Sequence, residues 1–121
     1  MALTKTTSVI WDNITLTASA ADTTSTGLSL LLAYDATLDL KITNGATGPT
    51  VAAKIQIQHS PDNTNWYNFG GALSGMTTSA AVTSWALIPL SLTGRYIRLV
   101  AGSNTGQNVT VRAEINLVTG V

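Results

Sequence analysis

The chain has 121 residues, no cysteine, and six basic residues balanced by six acidic ones. That length is enough for one domain with its own core, and the missing cysteines exclude a disulfide scaffold and thiolate metal sites. The zero net charge leaves no electrostatic footprint for nucleic acid or an anionic membrane. Charged residues make up only 10% of the chain, against about 25% in ordinary soluble domains. A surface of Thr, Ser, Asn, Gln and Ala suits a protein packed against copies of itself or another assembly. MALTKTTSVIW lacks the apolar run of a signal peptide, and no segment approaches the roughly 20 apolar residues that cross a bilayer. These features predict a soluble protein made in a cytoplasm.

In chain order, residues 1–12 read as an extended arm, with an apolar patch at Val9, Ile10 and Trp11. The sandwich domain is expected over 13–121. Trp11 beside Asp12 and Asn13 is either a core residue or an anchor on a partner. Ala20–Gly27 is a loop. The run from Leu28 to Tyr34 is apolar at Leu28, Leu30 and Leu32 but also at Leu31, so it is either fully buried or meets another chain on one face. Leucine and alanine also suit a helix, but Gly27 and the following turn leave little length for one. Leu38, Leu40 and Ile42 alternate with Asp39, Lys41 and Thr43 as a half-buried strand. Asn44–Pro49 turns the chain, its glycines supplying positive φ.

Thr50–Gly71 reads as a hairpin around which the rest is organised. Val51, Ala53, Ile55 and Ile57 share one face, Pro61, Asp62 and Asn63 make the turn, and Trp66, Tyr67 and Phe69 return. Ala72–Ala81 is loop-like. Val82–Leu90 is a strand in which Trp85 and Leu87 oppose Ala86 and Ile88, and Pro89 marks an edge or an end. Tyr96–Ala101 and Val109–Leu117 are the last strands. TGPTVAAKI and TGQNVTVRA echo each other, which predicts two hairpins of similar build, Leu38–Ile57 and Ile97–Ile115. About eight short strands, each with one apolar face, predict an all-β, single-domain antiparallel β-sandwich, either a jelly roll or an immunoglobulin-like sandwich, with the jelly roll preferred.

No catalytic constellation emerges, so the chain is expected not to be an enzyme. His59 is the only histidine and reads as a strand-end side chain bonded in the turn rather than as an acid–base group. The scattered carboxylates form no calcium loop, and neither a metal nor a cofactor is expected. Asp62 and Asn63 cap their own turn. Arg98, Arg112 and Glu114 read as a cross-strand charge set, with a ligand-binding arginine as the sharper alternative. Trp66 and Tyr67 lie just past a turn, either as core residues or as a platform for a sugar.

Two resemblances follow from these residues. IQIQHSPDNTNWYNF with the later GRYIRLVAG is similar to discoidin-like, galactose-binding-like jelly rolls, whose S-x-D-G-x-x-W turn is matched by Ser60, Asp62 and Trp66. Their A-R-Y-I-R-L strand is matched by Arg95, Tyr96, Ile97, Arg98 and Leu99. Asn63 stands where those domains carry glycine. This resemblance implies the jelly-roll fold and, as a second reading, a carbohydrate-binding module on a virion or tail, with Trp66, Tyr67 and Arg98 at the ligand. The chain from MALTKTTSVIW through LDLKITNGATGP to the closing NVTVRAEINLV resembles small virion proteins of tailed bacteriophages, among them capsid cement or decoration proteins. That resemblance implies a capsid-surface protein, a trimer bridging major capsid protein subunits, with Val9, Ile10, Trp11, Leu28, Leu30, Leu31, Leu32 and Tyr34 as interface candidates. Removing residues 1–12 would then abolish capsid binding and leave the fold intact.

Overall fold

The computed structural model describes residues 2–73 and 77–120; part of the expected 72–81 loop therefore lies outside the described residues. Nine strands are present among them: β1 (Leu3–Leu16), β2 (Thr23–Thr24), β3 (Leu28–Ser29), β4 (Ala33–Asn44), β5 (Lys54–Ser60), β6 (Tyr67–Asn68), β7 (Thr83–Pro89), β8 (Tyr96–Gly102) and β9 (Val109–Gly120). They form two antiparallel sheets. One runs β1-β9-β4-β7, and the other runs β2-β8-β5-β6, with β3 also paired to β8. β2 and β3 are two pieces of one strand position, separated at Ser25, whose N–H and hydroxyl both bond the Leu99 backbone. Counted that way, the strand order is that of a jelly roll.

The core follows the alternation. Leu38, Leu40 and Ile42 of β4 and Val109, Val111, Ala113 and Ile115 of β9 face Ile55, Ile57, Ile97, Leu99 and Ala101 of the other sheet, and all are buried. Each fully buried Leu or Ile contributes about 1.5–3 kcal/mol relative to exposure. The intervening residues, such as Asp39, Lys41, Arg112 and Glu114, point to the outer face.

Several expectations change. Residues 3–12 are no free arm; they are the first part of an edge strand paired to β9 along its length, from Leu3 opposite Gly120 to Leu16 opposite Val109. The unit from Leu38 to Ile57 is not a hairpin, because β4 and β5 lie in different sheets, and the same holds for β8 and β9. Alternation cannot distinguish a turn within a sheet from an arch between two sheets. The two echoing arches do meet: Thr50 N–H donates to Thr105 C=O at 2.7 Å, and Thr105 N–H to Val51 C=O at 3.2 Å. This draws Val51 off the inward face of β5 and leaves it exposed. Gly48 is not among the positive-φ residues; it is required by close approach, since a Cβ there would collide with the Thr78 backbone.

Candidate functional site

Local geometry separates the eight interface candidates into two groups. β1 carries irregularities between Val9 and Trp11 and between Trp11 and Ile14, the second containing Asn13 at φ +51°. An extra residue at a bulge resets which face the next side chain takes. Trp11 is thereby turned into the core, 7% exposed, and Ile10 packs against it, while Val9 stays outside. The Leu28–Tyr34 run is neither a strand nor a helix over its length. After β3, Leu30 is buried and a turn closes with Ala33 N–H donating to Leu30 C=O at 3.0 Å. Leu31 and Leu32 occupy the middle of that turn and are exposed, Leu32 at 74%, with Tyr34 exposed beyond them. Leu28 is half-buried against the core. Trp11 and Leu30 therefore serve this chain's own core rather than a partner.

Of the exposed candidates, Leu31, Leu32 and Tyr34 gather at one end of the sheet, while Val9 lies in mid-strand opposite Glu114. Ala33 and Thr4 both sit opposite Thr119, and Leu3 sits opposite Gly120. Leu3, Leu31, Leu32 and Tyr34 consequently form an apolar rim at the end of the four-stranded sheet. Leu3 was not singled out in the sequence, because only the pairing of β1 with β9 brings it beside the 31–34 turn.

The second candidate set, Trp66, Tyr67 and Arg98, is divided by the hairpin. Arg98 projects from the outer face of β8, its guanidinium 4.4 Å from the Trp66 ring centroid, and its Nε donates to Gln58 Oε1 at 2.8 Å. Gln58 Nε2 in turn donates to Asn68 Oδ1 at 2.9 Å. Trp66 is half-buried in this stack, with one ring face taken by arginine, and belongs to neither the core nor an open platform. Tyr67 sits opposite His59, on the other side of the sheet. The outer face beside the stack holds a polar groove of about 280 Å³ with Asp22, Lys54, Gln56, Gln58 and Asn68 in its walls.

The turn before Trp66 is built as expected. Asp62 Oδ1 accepts from the N–H groups of Thr64 (3.0 Å) and Asn65 (2.8 Å) and from the Ser60 hydroxyl (3.0 Å), and Oδ2 accepts from Asn65 Nδ2. The backbone N–H of Asn65, then that of Thr64, hold its carboxyl well below the ordinary carboxylate range. Asn63 has φ +60°, the left-handed geometry that glycine or asparagine takes most easily.

His59 differs from expectation. It is 8% exposed, stacked on Phe69 with ring centroids 4.6 Å apart, and neither ring nitrogen has a hydrogen-bond partner among the described residues. Gly94 lies so close that a Cβ there would overlap the imidazole. Burial lowers its pKa below the ordinary 6.5. With Tyr67, Phe69 and Arg95 it lines a cleft of about 290 Å³ at the open edge of the second sheet. The charge set is also rearranged. Arg112 pairs with Asp12 of β1 and with Glu114 two residues along its own strand (3.3 Å), while Arg98 takes no part. Among the described residues no three or more His, Asp or Glu side chains come together as a set that could hold a metal ion.

No family model matches the chain, and no curated protein does. Solved structures do match in fold. Over 97% of its length the chain is similar to a chain of the structure of infectious bursal disease virus, Gx strain, with a TM-score of 0.58 and 9% identity. Over 98% it is similar to dimeric latent PorU from Porphyromonas gingivalis, with a TM-score of 0.54 and 11% identity. It spans 32% of the first chain and 13% of the second. At such identities the likeness establishes the β-sandwich fold alone.

Proposed function

We propose that this protein is a non-enzymatic structural component of a virion, of the capsid cement or decoration type. It would sit on the capsid surface of a tailed bacteriophage, bridging major capsid protein subunits as a trimer after synthesis in the host cytoplasm. The observation that carries the reading is the apolar rim of Leu3, Leu31, Leu32 and Tyr34, all exposed at one end of a domain with only 10% charged residues. A scaffold that leaves large apolar side chains at one end has a surface suited to burial against a partner. Repeated on each member of an oligomer, a weak contact of this kind becomes a strong one by multivalency. The fold it shares with a chain of a virus particle supports the same reading.

Truncation does not test it, because removing residues 1–12 takes Trp11 out of the core along with most of β1's pairing. The clean test is the double substitution Leu31→Asp with Leu32→Asp, in a turn whose side chains are exposed. Full-length protein is expected to sediment with heads of the phage that encodes it, and the double variant to remain in the supernatant with an unchanged thermal midpoint. Equal sedimentation of both would remove the rim from the reading. The carbohydrate-module reading loses Tyr67 from its ligand set, since Tyr67 lies across the sheet from Trp66 and Arg98.

A further inference from the structure

Among the described residues the four-stranded sheet ends in β7, which pairs with β4 on one side only. The seven residues of β7, TSWALIP, contain no charge and no register shift against β4. The stretch around them is equally bare: no charged residue occurs between Asp62 and Arg95. On its outer face Trp85 is 69% and Leu87 70% exposed. Edge strands are ordinarily protected by charges, bulges or prolines within the run, because an unpaired ladder recruits another strand.

The direction of each backbone group follows from the β4 pairing. Leu90 N–H donates to Ala36 C=O and Asn44 N–H donates to Val82 C=O, both at 2.9 Å. In an antiparallel ladder bonding alternates along the strand, so Ser84, Ala86 and Ile88 also turn their N–H and C=O toward β4. Thr83, Trp85, Leu87 and Pro89 then turn theirs to the open edge. Pro89 is the residue whose missing N–H falls on that side, where proline is tolerated.

We infer that β7 is a homodimerisation edge, pairing antiparallel with β7 of a second copy about a two-fold axis through Ala86. In this register Trp85 and the second copy's Leu87 exchange N–H···O=C bonds, as do Leu87 and the second copy's Trp85. Thr83 N–H reaches Pro89 C=O of the second copy at each end. Charge complementarity fits a second copy in this register and disfavours the two adjacent hydrogen-bonded registers, while centring further along the strand would leave fewer β7 residues paired. On β4, Lys41 lies opposite Trp85 and Asp39 opposite Leu87, and Lys41 Nζ reaches over the Trp85 ring at 5.4 Å from its centroid. Centred on Ala86, each outer row reads Lys41, Trp85, the second copy's Leu87, the second copy's Asp39, with opposite charges closing an apolar strip. Centring the pairing on Trp85 or on Leu87 would instead set lysine toward lysine or aspartate toward aspartate. The result is one sheet of twice the width, and the inference stands independently of the virion reading.

The test uses the absence of cysteine in the chain. At a non-hydrogen-bonded antiparallel pair the Cα atoms are about 4.5 Å apart, within the roughly 4.4–6.8 Å span of a disulfide. Ala86→Cys is expected to form a disulfide-linked dimer under mild oxidation, read on a non-reducing gel. Ser84→Cys, whose counterpart in the second copy lies several residues away along the strand, is expected to stay monomeric on that gel. Light scattering of the unmodified protein is expected to give an even multiple of 12.6 kDa, either a dimer or, where a three-fold contact also forms, a hexamer. Leu87→Pro deletes an N–H on the open side only, and should weaken association roughly tenfold or more while leaving circular dichroism unchanged. Asp39→Lys should weaken it too, and adding Lys41→Asp should restore it. A monomer or a bare trimer by light scattering, or equal cross-linking at positions 84 and 86, would overturn the inference.

Discussion

The two edges of the four-stranded sheet are built in opposite ways. β1 is long, broken by two irregularities and carries Lys5 and Asp12, and Asp12 is tied to Arg112 on the neighbouring strand. Its one tryptophan is turned into the core. β7 is short, regular and uncharged, and its tryptophan stands outside on the sheet. Irregularity and charge make β1 a poor template for another strand, whereas nothing of that kind protects β7. The contrast is between an edge that irregularity and charge guard and an edge that they leave bare.

The sharpest way to break that contrast is to truncate both tryptophans. Trp11→Ala is expected to lower unfolding stability by about 3–5 kcal/mol, whereas Trp85→Ala, measured in urea below the concentration of self-association, should stay within about 0.5 kcal/mol. Comparable losses would mean that the edges do not differ as described. Next comes the anchorage of β1. Asn104 is buried and its Nδ2 donates to Leu16 C=O at 3.1 Å and to Gln107 C=O at 3.0 Å. Asn104→Ala leaves those carbonyls unpaired, at an expected cost of about 1–3 kcal/mol, and should speed amide exchange at the end of β1 while sparing β7.

The irregularity itself is tested at Asn13. A β-branched side chain is strained at φ +51°, so Asn13→Val should cost about 1–2 kcal/mol and Asn13→Gly much less. Smaller still is the exposed Asp12–Arg112 pair, where Asp12→Asn is expected to cost about 0–1 kcal/mol, vanishing in high salt.

The pH dependence should arise away from both edges, at His59. A folded-state pKa below 6.5 means that the unfolded chain binds the proton more readily. The stability is therefore fully present above pH 6.5 and declines as pH falls below it. Asp62, with its pKa lowered from 3.8, adds a separate loss only as pH falls below that value. Denaturation midpoints of His59→Phe followed from pH 7.5 to 4.5 should lose the first decline; an identical slope would assign it elsewhere.

How much of this was legible in the chain can be judged from particular residues. The inward sets Leu38, Leu40, Ile42 and Val109, Val111, Ala113, Ile115 were readable because a period of two is a local property, imposed wherever one face of a strand excludes water. So were the Asp62 turn and the strand over residues 82–90, which the structure bounds at Thr83–Pro89. The same alternation already sets Tyr67 and Trp66 on opposite faces of the returning strand; what it could not show is that Arg98, from a strand distant in sequence, covers one face of the Trp66 ring.

By itself, then, the sequence determined the fold class, the faces of the main strands and the main turn around Asp62. Only the tertiary structure decided that 3–12 is an edge strand, that the echoing segments are arches between sheets, and that Leu3 joins Leu31, Leu32 and Tyr34. The physical reason is the range of the forces involved. Alternation and turn chemistry act over a few residues, but a strand's neighbour is chosen by pairing across most of the chain, as between Leu3 and Gly120. A single extra residue in such a ladder, as at Ile10, moves a tryptophan from one face to the other.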